Sequence, residues 1–184
     1  MIDLQYQLER ILEPISGDFF KSIFDYYGMF NCCGYAACII TNVLQRNMED
    51  HQVRVGFGYY GPDTDGSHHF WTEVDELVFV DFTYGQFNCA FKNKVIVGLM
   101  DELPLLRLTR FDRTKPEQFS RLISSLKPGT IADLISNPKD PFIPGFKIGS
   151  RAHNQAYTHR LIAKYGQLLV ERKSEFKDIY CNTP

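Results

Sequence analysis

A run of apolar and small residues, CGYAACIITNVL from Cys33, is followed about forty residues later by HHFWTEVDELVFVDFTYGQF. In the first, Ala37, Ile40 and Leu44 fall at i+4, i+7 and i+11 from Cys33, so they form one face of a helix that Cys33 opens. The second alternates with period two and breaks near Asp75-Glu76, which reads as strands HHFWTEV and ELVFVDFTY joined by a tight turn. A helix with one buried stripe must lay it on a neighbour, and the hairpin is the nearest candidate. This favours an α+β fold with the Cys33 helix packed on an antiparallel sheet. The thiol then sits at the end of the buried stripe and points at that sheet.

Side chains alternate along a strand, so His69 and Trp71 share one face and His68 and Phe70 the other. A hairpin centred on Asp75 sets His69 opposite Asp81, at the roughly 5 Å spacing of cross-strand partners. A register moved by one residue would bring His68 to Asp81 instead. Centring on Asp75 balances the two arms and favours His69. A thiol at a helix N-terminus, an imidazole and a carboxylate, in that order, form a nucleophile, its base and the group that orients the base. Each alone has a plainer reading: a small core residue, a solvated strand end, a turn residue. Cys38 and Cys89 are read that way.

The rest of the chain bounds the answer. At 184 residues one domain, 1–184, is expected, with a substantial core. DLQYQLERIL and DFFKSIFDYY read as two short amphipathic helices, the first ended by Pro14 and the second capped by Asp18. QVRVGFGYYG reads as a strand, KVIVGLM and LPLLRLTRF as weaker ones, and KPEQFSRLISSL and AHNQAYTHRLIAKYGQLL as helices. The Pro/Gly-rich stretch 136–150 is long enough to suggest a lid or a partner-facing loop. A net charge of −2 gives no attraction for nucleic acid or membrane, and no apolar run reaches the length of a span. The first ten residues lack the pattern of a cleaved secretory signal, so a cytoplasmic location, or export without such a signal, is expected.

No metal or organic cofactor is expected. The five Cys have neither zinc-site nor disulfide-scaffold spacing. DTDG at 63–66 lacks the Glu that would complete a calcium loop, and GFGYYG lacks the spacing of a phosphate loop. His153 and His159 are six apart and do not share a helical face.

The motifs CGYAA from Cys33, HFWTEV from His69 and VDFTYGQF around Asp81 resemble those of the transglutaminase-like and papain-like cysteine superfamily. There a helix starting C-x-x-x-[AS] precedes a strand H-A-W-x-E-V and then D-P-T. The resemblance covers about residues 30–87. Phe82 stands where the family has Pro, and Asn31-Cys32-Cys33 replaces its Gly-x-Cys lead-in. The resemblance implies Cys33 as nucleophile, His69 as general base and acid, and Asp81 as orienting group. The backbone N–H of Cys33 would serve the oxyanion, with Asn31 or Gln86 as a further donor and Trp71 as support. The implied reaction is acyl transfer through a thioester on a protein or peptide presenting Gln or another amide. Deamidation or transglutamination of a partner protein is favoured, as in small bacterial effector deamidases. Cysteine proteolysis, peptide amidase activity, arylamine N-acetyltransferase-like transfer and a triad-bearing binding protein are the alternatives.

Overall fold

A computed structural model describes residues 2–27, 32–61, 67–110 and 151–180. Among the described residues three helices, α1 (Ile2–Tyr27), α2 (Cys32–Asn47) and α3 (Arg151–Tyr180), accompany five strands. These are β1 (Val53–Tyr60), β2 (Ser67–Val74), β3 (Val78–Asp81), β4 (Ile96–Leu99) and β5 (Leu108–Arg110). They form one antiparallel sheet in the order β4-β3-β2-β1-β5, so the fold is α+β. Three short 3-10 turns, Tyr84–Gln86, Cys89–Phe91 and Met100–Leu106, link its later strands. The expected helix over 115–126 and the loop over 136–150 lie outside the described residues.

The two expected N-terminal helices are one. Proline inside a helix removes a backbone hydrogen bond and clashes with the preceding turn, at about 3 kcal/mol. Yet Leu8, Ile11, Leu12, Ile15, Phe19 and Ile23 run in phase through Pro14, and all are buried. At about 1.5–3 kcal/mol for each buried side chain, the continuous stripe outweighs the break. Pro14 itself lies on the exposed side.

β2 is the central strand, and its alternation divides the molecule. Phe70 and Val74 join the core formed with α1, α2 and α3, whereas Trp71 belongs to a second cluster with Phe79, Tyr84, Leu103 and Leu108. The α2 side holds most of the buried apolar residues, among them Ala37, Ile40 and Leu44, as the helical spacing required. On the opposite face the indole of Trp71 lies over β1 where that strand has glycine. A Cβ on Gly56 would sit 2.2 Å from Trp71 Nε1, and one on Gly58 would sit 1.9 Å from the Thr109 carbonyl of β5. Both glycines are there for close approach.

The β2–β3 hairpin is centred one residue later than expected. Thr72 faces Val80, Glu73 faces Phe79 and Val74 faces Val78. The turn passes through Asp75 and Glu76 with φ of 53° and 58°, closed by a 3.0 Å bond from Leu77 N to the Val74 carbonyl. Positive φ at both central positions matches the twist of a hairpin. Asp75 is anchored there: its carboxylate accepts from the Gln52 N–H at 2.7 Å and lies 2.6 Å from His51 Nδ1. That anchoring at the head of β1, absent from the hairpin's own sequence, fixes the centre. The cross-strand pairing therefore differs from the expected one by two residues, which preserves the face of every side chain.

Packing on the two sides predicts opposite responses to one added methyl. Gly56→Ala should lose about 1–3 kcal/mol by crowding Trp71 and Glu73. Gly17→Ala, where a Cβ meets nothing within 4 Å on α1, should gain about 0.5–1 kcal/mol. Urea unfolding of the two variants measures both.

Candidate active site

β3 pairs with β2 only over Val78–Val80, while β1 pairs with β2 along its whole length. At Asp81 the third strand is bonded to Ile96 of β4 and has left β2. The two side chains His69 and Asp81 span the opening. They are no longer directly opposite, as the expected register had them, but diagonal neighbours on one face, and Nε2 of His69 meets Oδ2 of Asp81 at 2.5 Å. His68, the other candidate, is on the far face of the strand, with its ring 5.0 Å from that of Tyr59.

Cys33 reaches the same imidazole. Helix α2 begins at Cys32, one residue before the expected start, and Cys33 lies in its first turn. The Cys33 side chain lies near enough to His69 to be one of the groups that raise its pKa. With Nε2 committed to Asp81, Nδ1 is the nitrogen left to serve a thiol. Gln86 borders that edge as well, with Nε2 3.1 Å from Nδ1. A carboxamide suits either state of the ring: its NH2 donates to bare Nδ1, and its oxygen accepts from Nδ1–H.

All three members of the chain are buried: Cys33 is 5 %, Asp81 1 % and His69 0 % exposed. Burial disfavours the charged imidazole, but the Asp81 carboxylate and the Cys33 side chain outweigh it and raise the His69 pKa to about 10. Burial lowers that of His68, so adjacent histidines on opposite faces are driven in opposite directions. Burial pushes the Cys32 and Cys38 thiols up, well beyond the ordinary cysteine range.

Asp81 is held by a residue not singled out from the sequence as a site candidate. Its Oδ1 accepts from the Thr83 backbone N–H at 2.7 Å and from the Thr83 hydroxyl at 3.0 Å, which leaves Oδ2 aimed at His69. An Asp bonding the backbone two residues on is a local turn signature, and Asp-x-Thr was its readable signal. Phe87 sets its ring edge-to-face on the imidazole, with centroids 4.8 Å apart, and stacks on Tyr60 at 4.0 Å. Trp71 is 6.2 Å from the imidazole by ring centroids, and its Nε1 donates to Glu73 at 3.2 Å. The Glu73 carboxylate is clamped by Arg54 of β1 and Arg110 of β5. Asn31 lies outside the described residues. Among the described residues no group of three His, Cys, Asp or Glu side chains is placed to hold a metal.

A folded-state pKa above the ordinary 6.5 makes a signed prediction. The stabilisation from protonated His69 is complete below about pH 6.5 and is lost as pH rises through about 10. The urea midpoint should fall across that window. Asp81→Asn keeps an acceptor for Thr83 but removes the charge, so it should flatten this dependence and return the His69 titration, followed by its ring-proton NMR signal, towards 6.5. Asp81→Ala, which strands a buried imidazole, should cost about 3–5 kcal/mol.

No family model matches this chain, and neither a curated protein nor a solved structure matches it.

Proposed function

We propose that this protein is a cysteine-dependent acyl-transfer enzyme of papain-like or transglutaminase-like design that deamidates glutamine side chains of a partner protein. The observation that carries the reading is the grouping of Cys33, His69 and Asp81, with Cys33 in the first turn of a helix beside the imidazole and the carboxylate on Nε2 of His69. Sequence supports the substrate class through the motif resemblance, and the geometry is what a thiol nucleophile needs.

In this mechanism the Cys33 proton passes to Nδ1 of His69, and Asp81 stabilises the resulting imidazolium through Nε2–H. The sulfur attacks the carboxamide carbon, and the carbonyl oxygen takes up the electron pair. First-turn N–H groups of a helix have no partner within it, so the Cys33 N–H is available to that oxyanion. Gln86, at the Nδ1 edge, is the described side chain best placed to add a second donor. The C–N bond then breaks, Nδ1 returns its proton to the nitrogen, and ammonia leaves a thioester on Cys33. Water, giving a proton to Nδ1, attacks that thioester. The C–S bond breaks, the proton returns to sulfur, and the carboxylic acid is released and ionises to carboxylate by giving its proton to solvent. A lysine amine in place of water would give cross-linking, and a peptide amide in place of the glutamine amide would give proteolysis.

A second reading is favoured by one observation, the near-complete burial of all three side chains. In it the triad is a polar network of the core without turnover. Alkylation separates the two. An ordinary thiol is protonated and unreactive at pH 6. A sulfur paired with imidazolium stays nucleophilic there, so iodoacetamide at pH 6 should modify Cys33 before Cys32, Cys38 and the exposed Cys89. Failure of Cys33 to react at any pH in the folded protein establishes the second reading. For the substrate, the intact mass of candidate partner proteins should rise by about 1 Da on deamidation, a change lost with Cys33→Ala or His69→Ala. A loss of about 17 Da would mean cross-linking, and fragments would mean proteolysis.

A further inference from the structure

Helix α2 carries the sulfur and β2 carries the imidazole, and the layer between them is mostly greasy and small. Ala36, Ala37, Ile40, Phe70, Val80 and Phe82 line a crevice there. Apolar contact of this kind has no direction and leaves a helix free to shift along its axis. Apart from the site itself, two contacts matter among the described residues, both polar ties across the layer. One, Gln45 Nε2 to the Val53 carbonyl at 2.9 Å, lies at the far end of α2. The other lies near the site: Thr72 donates its hydroxyl to the Ala37 carbonyl at 3.1 Å, and its oxygen lies 3.0 Å from that of Thr41. Thr72 is 0 % and Thr41 4 % exposed, so no water competes for these bonds.

We infer that Thr72 is a positioning residue that sets the nucleophile helix in axial register with His69, an inference that rests on the reading of Cys33 and His69 as the reacting pair. Ala37 is one helical turn beyond Cys33, and Thr72 is three residues beyond His69 on the same strand. Each connection is a rigid element, so the hydroxyl on the Ala37 carbonyl fixes the sulfur against the imidazole at a distance. A helix slipped by one residue moves by about 1.5 Å. A misplacement of about 1 Å is enough to cost a reacting pair roughly a hundredfold. Thr72 faces α2 and His69 faces away from it, so Thr72 touches neither reacting atom. It acts through the elements that carry them.

The test is the rate of Cys33 alkylation by iodoacetamide from pH 5 to pH 10 in Thr72→Val, Thr72→Ser and the unaltered protein, read by peptide mapping, with urea unfolding alongside. Thr72→Val keeps the shape and removes the hydroxyl. Thr41 then retains a partner, since a helical threonine can turn its hydroxyl to the carbonyl four residues back, which is Ala37. The variant should therefore fold. Its Cys33 reactivity at pH 6 should fall about tenfold or more, with the profile moving towards that of an isolated thiol. Thr72→Ser should restore the rate and the profile, because it keeps the hydroxyl and loses only a methyl. If Thr72→Val does not fold, Thr72→Ala serves in its place with the same expected loss. A Thr72→Val or Thr72→Ala protein that is less stable but has an unchanged pH profile overturns this inference and leaves the reading of the site standing. An unaltered protein whose Cys33 is inert at pH 6 overturns both.

Discussion

An imidazole and a carboxyl group, both buried, meet where the third strand turns away from the second. Two such groups are expensive to bury, and the arrangement holds because every lone pair and proton has a use. Asp81 spends one oxygen on His69 and the other on Thr83. His69 spends one nitrogen on Asp81 and has Gln86 at the other, with Cys33 nearby. The opening between β2 and β3, the first turn of α2 and the turn that ends at Phe87 all converge on this ring.

The two faces of the sheet do different work. On the helical side, α1 and α3 bury the back of α2 and leave it to be located by Thr72 and Gln45. On the other side, Trp71 fills the hollow over the β1 glycines and is gripped by Glu73, which in turn joins β1 to β5 through two arginines. The imidazole belongs to the second face and the sulfur to the first.

Much of this was legible in the residues. The helix after Cys33 announces itself by spacing, and the strands around His69 and Asp81 by alternation. Less local features were not. Pro14 reads as a stop, because the gain from packing against α2 and α3 is invisible in a ten-residue window. The hairpin centre depended on His51 and Gln52, residues of a different segment. The Thr72 tie could not be read at all: a threonine in a strand is ordinary, and its importance comes from a carbonyl 35 positions away in the chain. The 3-10 turns after Tyr84 are set by tertiary contacts such as that of the Tyr84 hydroxyl with the Leu106 carbonyl.

The offset of the hairpin by two residues carries a lesson for how such a chain can drift. Side-chain direction depends on the parity of the register and not on its absolute value, and diagonal neighbours are still within reach of long side chains. A lineage could thus lengthen or shorten the Asp75–Leu77 turn in pairs of residues and keep imidazole and carboxylate on a common face. A single insertion or deletion that was taken up by the strands would send one of them through the sheet. Variation in this turn should therefore be quantised by twos, with the chemistry surviving even steps and vanishing at odd ones.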